Sequence, residues 1–119
     1  MTQAWVILTG VDGRDVHGPS ATQLAAALAD LYRTADGADG RSSAVLRFGY
    51  DDGLMYQVEV DGGGQLRFEE WSDRDCEIAL ASPRSMAAAS ENDALQIWLW
   101  LSQRQVAKIR SQPWQSGAD

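Results

Sequence analysis

SAVLRFGYDDGLMYQVEVDGGGQLRFEEW, running from Ser43 to Trp71, is a stretch in which apolar and polar residues alternate with a period of two. Ala44, Leu46 and Phe48 alternate with Val45, Arg47 and Gly49. Leu54, Tyr56, Val58 and Val60 alternate with Met55, Gln57, Glu59 and Asp61, and Leu66 and Phe68 alternate with Arg67 and Glu69. Successive residues of a strand point to opposite faces, so each run presents one apolar and one mixed face. Asp51-Asp52-Gly53 and Asp61-Gly62-Gly63-Gly64 interrupt the alternation with the Asp/Gly chemistry of tight antiparallel connections. The stretch therefore predicts three consecutive strands of a β-meander, with one face turned inward.

Upstream, AWVILTGV (Ala4 to Val11) predicts a first strand, apolar enough to be buried on both faces. VDGRDVHGP supplies turn chemistry, with an Asp-Gly pair, a second glycine and a proline. Ser20 with Gln23 three residues on forms a capping box, and Leu24, Leu28 and Leu31 make one apolar helical stripe that ends near Thr34. Downstream, Cys76 to Leu80 predicts a further strand, and Ser90 with Asp93 starts a last helix with Ala94, Ile97, Trp98 and Leu101 as its core stripe. Trp100 stands two positions from Trp98 and cannot share its face, so it is expected to be partly exposed or packed under the C-terminal segment. Lys108 and Ile109 read as a short extended return, Trp114 as a lid against Trp100, and residues 116–119 as a frayed tail. The order β-α-β-β-β-β-α predicts an α+β fold: a mainly antiparallel sheet with helices packed on one face.

The chain has 119 residues, the size of one domain, 1–119, and its composition is that of a globular protein. Its net charge of −7 is equalled by that of residues 51–77, which hold nine acids and two arginines, so the rest balances. This excess argues against nucleic acid or an anionic membrane as the partner and favours fast, salt-sensitive association with a basic protein. No apolar run approaches the roughly 20 residues of a membrane span, and no secretory signal is visible. The single cysteine, Cys76, fits a reducing compartment, so the expectation is a cytoplasmic protein.

Catalytic and metal chemistry find little support. His17, the one histidine, sits beside Gly18-Pro19 and reads as a turn residue; Cys76 has no basic neighbour in sequence to activate it and reads as a buried thiol. Zinc would need Cys/His clusters, and the Asp-Gly segments lack the ligand spacing of a calcium loop. The three glycines at 62–64 do not lead into a helix, so no phosphate loop is expected. The expectation is a non-enzyme without cofactor or metal.

The acids are the exception. Glu59, Asp61 and Glu69 fall on the outer face of the meander together with Trp71, Asp73 and Asp75 belong to the turn that follows, and Asp51 and Asp52 stand at the rim. Glu70 is expected to point inward or to end its strand. A tryptophan within a charged field is a frequent interface anchor. The opposing interpretation is a solvated sheet face whose charges prevent edge-to-edge aggregation.

The layout also resembles immunity-protein family 1 of bacterial polymorphic toxin systems. The resemblance is carried by Pro19 to Leu31, by Leu54 to Phe68 with its Asp-Gly-Gly-Gly turn, by Ala94 to Leu101 and by Pro113-Trp114. The chain departs from that pattern where the last helix runs into SQRQVAKIR with no glycine before the final segment. The resemblance implies a cytoplasmic antidote that binds a cognate toxin domain, often a deaminase or nuclease, and blocks it. The expected partner-binding residues are Asp51, Asp52, Glu59, Asp61, Glu69, Trp71, Asp73 and Asp75. The alternatives are a non-catalytic accessory or scaffold subunit of a larger assembly, and a small-ligand enzyme or sensor with a cavity between the last helix and the sheet.

Overall fold

The computed structural model describes residues 4–11, 13–35, 43–50, 53–62, 64–72, 84–87, 90–112 and 114–116. Strands β1 (Ala4–Thr9), β2 (Asp15–His17), β3 (Ser43–Tyr50), β4 (Met55–Asp61), β5 (Gln65–Trp71), β6 (Arg84–Ala87) and β7 (Gln115–Ser116) form one sheet. Its order is β2-β1-β3-β4-β5-β6-β7, with every neighbouring pair antiparallel. Helices α1 (Ala21–Ala35) and α2 (Glu91–Ser102) pack on each other and on the sheet, and a short α3 (Val106–Arg110) packs on α2. The fold is α+β.

The meander forms as its alternation requires. Leu46, Phe48, Val58, Val60, Leu66 and Phe68 share the inner face with Leu8 and meet Leu24, Leu28 and Leu31 of α1 and Ala94, Ile97, Trp98 and Leu101 of α2. Trp98 is fully buried, and its Nε1 donates to the Val58 carbonyl at 3.1 Å, so the largest core side chain also meets its polar requirement. Both helix starts are capped. Ser20 N donates to Gln23 Oε1 at 2.8 Å while Gln23 N donates to Ser20 Oγ at 3.1 Å, and Asp93 N donates to Ser90 Oγ at 3.2 Å.

Several expectations are corrected. The first strand is not buried on both faces: Leu8 is its one buried residue, because among the described residues no helix covers the outer face. Asp15, Val16 and His17, read as turn, form β2 against Thr9, Leu8 and Ile7, so His17 lies exposed on an edge strand. Lys108 and Ile109 are helical, in α3, and only Ile109 of that helix is buried. Trp114 stacks on Phe68 at 5.5 Å, and its Nε1 donates to the Ile109 carbonyl, so it closes the β5 side of the core rather than docking on Trp100. Ser116 belongs to β7, paired with Arg84, rather than to a frayed tail. The expected strand Cys76–Leu80 lies outside the described residues.

The connection after α2 explains how the chain turns without glycine. Arg104 adopts the left-handed conformation at φ 64°, while Arg104 N donates to the Leu101 carbonyl and Gln105 N to the Trp100 carbonyl. These two bonds are those of a Schellman motif, with an arginine where glycine is usual.

Candidate functional site

The sheet's two faces divide the acids of the middle strands. Cross-strand partners share a face, and the register places three rows on the outer one. The first is Trp5, Gly49, Met55 and Trp71; the second His17, Ile7, Arg47, Gln57 and Glu69; the third Asp15, Thr9, Val45, Glu59, Arg67 and Ser85.

The first row is a small apolar cluster separate from the main core. Met55 is only 1 % exposed although it stands on the outer face, between the Gly49 and Trp71 positions. Trp5 lies over Gly49, where a Cβ would come within 2.8 Å of Trp5 Cε2 and of the Leu54 carbonyl, so glycine is required for this close approach. Trp71 is half-buried on this face, with its indole nitrogen buried and without a hydrogen-bond partner among the described residues.

The second and third rows are joined by side-chain hydrogen bonds that cross five strands. Thr9 Oγ1 donates to Asp15 Oδ1 at 2.7 Å, and Arg47 donates to Thr9 Oγ1 at 3.3 Å and to Gln57 Oε1 at 3.2 Å. Gln57 Nε2 donates to Glu69 Oε2 at 2.8 Å, and Arg67 Nε stands 3.5 Å from the same oxygen. Glu69 is thereby oriented and partly neutralised, with 12 % of its side chain exposed. Because Arg67 turns toward Glu69, Glu59 directly opposite makes no ion pair among the described residues. Asp61 stands at the β4–β5 connection, where its Oδ1 accepts from Gln65 N at 2.9 Å. Its charge, with those of Glu91 and Asp93, adds to burial in raising the Tyr32 pKa above the usual tyrosine value.

Of the eight expected partner-binding residues, the structure thus brings Glu59, Glu69 and Trp71 onto one open face and puts Asp61 at its end. Asp51, Asp52, Asp73 and Asp75 lie outside the described residues. Arg47, Gln57, Thr9, Asp15 and Trp5 complete the face. The outward phase of Arg47 and Gln57 was readable from the alternation, whereas Trp5 and Thr9 lie in a strand expected to be buried on both faces and Asp15 was read as turn; their mutual contacts depend on strand register, which one sequence does not display.

Glu70 points the other way, as the alternation allows, and is the one buried charged residue among those described. Arg110 Nη2 reaches Glu70 Oε1 at 2.6 Å, and Arg84 Nη2 reaches Oε2 at 3.0 Å. The two guanidiniums also lie over aromatic rings, Arg110 above Tyr56 at 5.8 Å and Arg84 above Phe68 at 5.4 Å. The hydrogen bond to Glu70 holds the Arg110 pKa above its ordinary value, against the opposing effect of burial. Burial also raises the Tyr56 pKa, with the charge of Arg110 opposing it. The cluster fastens α3 and β6 to β5.

Among the described residues, no group of three or more His, Cys, Asp or Glu side chains could hold a metal ion, and no helix is long and apolar enough to cross a membrane. No family model, curated protein or solved structure matches the chain.

Proposed function

We propose that the chain is a non-enzymatic inhibitor of the immunity-protein kind, which docks a basic, nucleic-acid-acting toxin domain on the outer face of its sheet. The observation that carries this reading is the preorganisation of that face. A solvated sheet surface has no need of a hydrogen-bonded side-chain network spanning β2, β1, β3, β4 and β5, yet this one holds its polar groups in fixed positions. Groups already ordered lose little conformational freedom on binding.

Different residues take different parts in this reading. The net charge of −7 steers a basic partner toward the molecule over a distance of about a Debye length, roughly 8 Å at physiological salt. Glu59, without an ion-pair partner among the described residues, is the acid most available to a cation of the toxin. Glu69 offers a fixed carboxylate, and Trp71 beside Met55 and Trp5 offers apolar area. Asp51, Asp52, Asp73 and Asp75 add to the steering charge. A cytoplasmic location belongs to the same proposal, since an antidote must act where its toxin would.

The test begins with co-purification of the tagged chain from its native host and identification of any stoichiometric basic partner. Association of that purified partner is then measured with the Glu59→Lys/Glu69→Lys double variant. The expected result is association at least about tenfold slower at low salt, with the far-ultraviolet circular dichroism unchanged. Unchanged association refutes the face. Recovery of the chain as a constitutive oligomer without a basic partner favours the scaffold alternative.

A further inference from the structure

β2 ends the sheet, and among the described residues no strand lies against its outer edge. Two backbone bonds fix which groups face that edge. Gly18 N donates to the Val6 carbonyl, and Gly10 N donates to the Arg14 carbonyl. Backbone groups of successive strand residues point to opposite sides, so Arg14, Val16 and Gly18 turn theirs toward β1. The N–H and C=O groups of Asp15 and His17 therefore point away from the sheet, and both residues are exposed.

The segment Asp15-Val16-His17 is self-complementary. A two-fold axis through Val16, perpendicular to the sheet, sets Asp15 opposite the second copy's His17, and His17 opposite its Asp15. Both are then hydrogen-bonded pairs, in which every outward N–H meets an outward C=O. The side chains favour the same register. Asp15 and His17 share the outer face, so a carboxylate acceptor stands across from an imidazole donor on each side of the axis. Asp15 accepts from Thr9 at Oδ1, and its carboxylate has lone pairs to spare. A shift by two residues sets Asp15 opposite Asp15, or His17 opposite His17. Short, charged edge strands ordinarily discourage pairing. Here the charges disfavour the neighbouring registers and match in this one. Val16 meets Val16 on the inner face, in line with Leu8.

The acid excess of the chain does not oppose this approach. It resides in residues 51–77, whereas residues 1–50 hold five acids and four bases. β4 is three strand steps from β2, about 14 Å at about 4.8 Å per step, farther than the Debye length of roughly 8 Å.

We propose that a second copy of this chain docks at the β2 edge, strand to strand about Val16, and continues the sheet. The axis keeps the two outer faces side by side and open, so the pairing goes beyond toxin docking and stands or falls independently of it. With three residues of strand on each side, the dimer is weak and reversible.

The test compares the full-length ¹⁵N-labelled protein at about 1 mM and about 20 μM by sedimentation and by amide hydrogen exchange. At the higher concentration a dimer is expected, with exchange at Asp15 and His17 at least about twofold slower. Val16, whose N–H faces β1 at both concentrations, is the internal control and should change less. His17→Asp sets acid opposite acid and should weaken the dimer at least about fivefold. The exchanged pair Asp15→His/His17→Asp restores opposite partners in the same register and should restore the dimer, with circular dichroism confirming that both variants fold. Three results overturn the proposal: a monomer at 1 mM, a dimer in which Asp15 and His17 exchange as fast as in the monomer, or a folded exchanged pair that dimerises no better than His17→Asp.

Discussion

Replacing Glu70 by glutamine keeps the shape of the side chain and removes the charge that two arginines share. The cost follows from where each arginine is left. Arg110 is 49 % exposed and can turn toward water, so its loss resembles that of a surface pair, about 0.5–1 kcal/mol. Arg84 is 28 % exposed and lies over Phe68, so its guanidinium loses a counter-charge in a more desolvated place, at about 1–2 kcal/mol. The glutamine NH₂ moreover presents donors to donors. The expected loss is about 2–3 kcal/mol, below the roughly 3–5 kcal/mol for breaking a fully buried pair because both arginines retain some water. Urea denaturation followed by circular dichroism measures it as a lower midpoint with an unchanged slope. Arg110→Ala should cost a comparable amount by leaving the buried carboxylate with Arg84 alone. The double variant should then lose less than the sum of the singles by at least about 1 kcal/mol. A loss below about 0.5 kcal/mol for Glu70→Gln, or strict additivity with Arg110→Ala, would refute the view that this cluster fastens α3 and β6 to the sheet.

Arg104→Gly relieves the left-handed backbone after α2 and should raise stability by about 0.5–1 kcal/mol, read as a melting temperature about 2–4 °C higher. Gly49→Ala forces a methyl against the Trp5 indole and the Leu54 carbonyl and should cost about 1–3 kcal/mol, with Trp5→Ala in the same chain restoring part of the loss. Tyr32 and Tyr56 have pKa values raised above that of an unfolded tyrosine. Above pH ~10 the unfolded chain therefore releases these protons while the folded chain retains them. Their contribution to stability is complete below that pH and is lost as pH rises through the folded values. Tyr56→Phe should make the alkaline decline shallower in chemical unfolding measured from pH 8 to 11.

The parts of the fold that the sequence displayed were those written in local periodicity. Alternation from Ser43 to Trp71 sets the phase of three strands, and the Ser20 and Ser90 caps set the helix starts, because both are encoded within a few residues. What stayed hidden depended on partners distant in the chain. Asp15 to His17 are a strand only because β1 offers a free edge, and a three-residue run carries no periodic signal of its own. The turn at Arg104 stayed hidden because an exposed arginine takes the left-handed conformation, closed by two backbone hydrogen bonds, where the local rule expects glycine. Met55 looked like a solvent-facing position, and it is buried because Trp5, fifty residues earlier in the chain, lies over the neighbouring Gly49.

The same distinction changes the meaning of the charge count. Residues 51–77 hold a charge equal to that of the whole chain, but pleating sends Glu70 inside to two arginines drawn from β6 and α3, and Arg67 and Gln57 hold Glu69. Among the described residues of the outer face, Asp15, Glu59, Asp61 and Glu69 stand against Arg47 and Arg67, a modest excess of acid. Under the proposed function, long-range attraction to a basic partner therefore belongs to the net charge of the chain, and selectivity at contact to fixed groups of both signs. Neutralising scattered acids away from the sheet should slow association in proportion to the charge removed. Arg47→Gln, which raises the negative charge, should still speed dissociation by disconnecting Thr9 from Gln57, and an Arg47→Gln protein that dissociates no faster would leave the network without a role in binding.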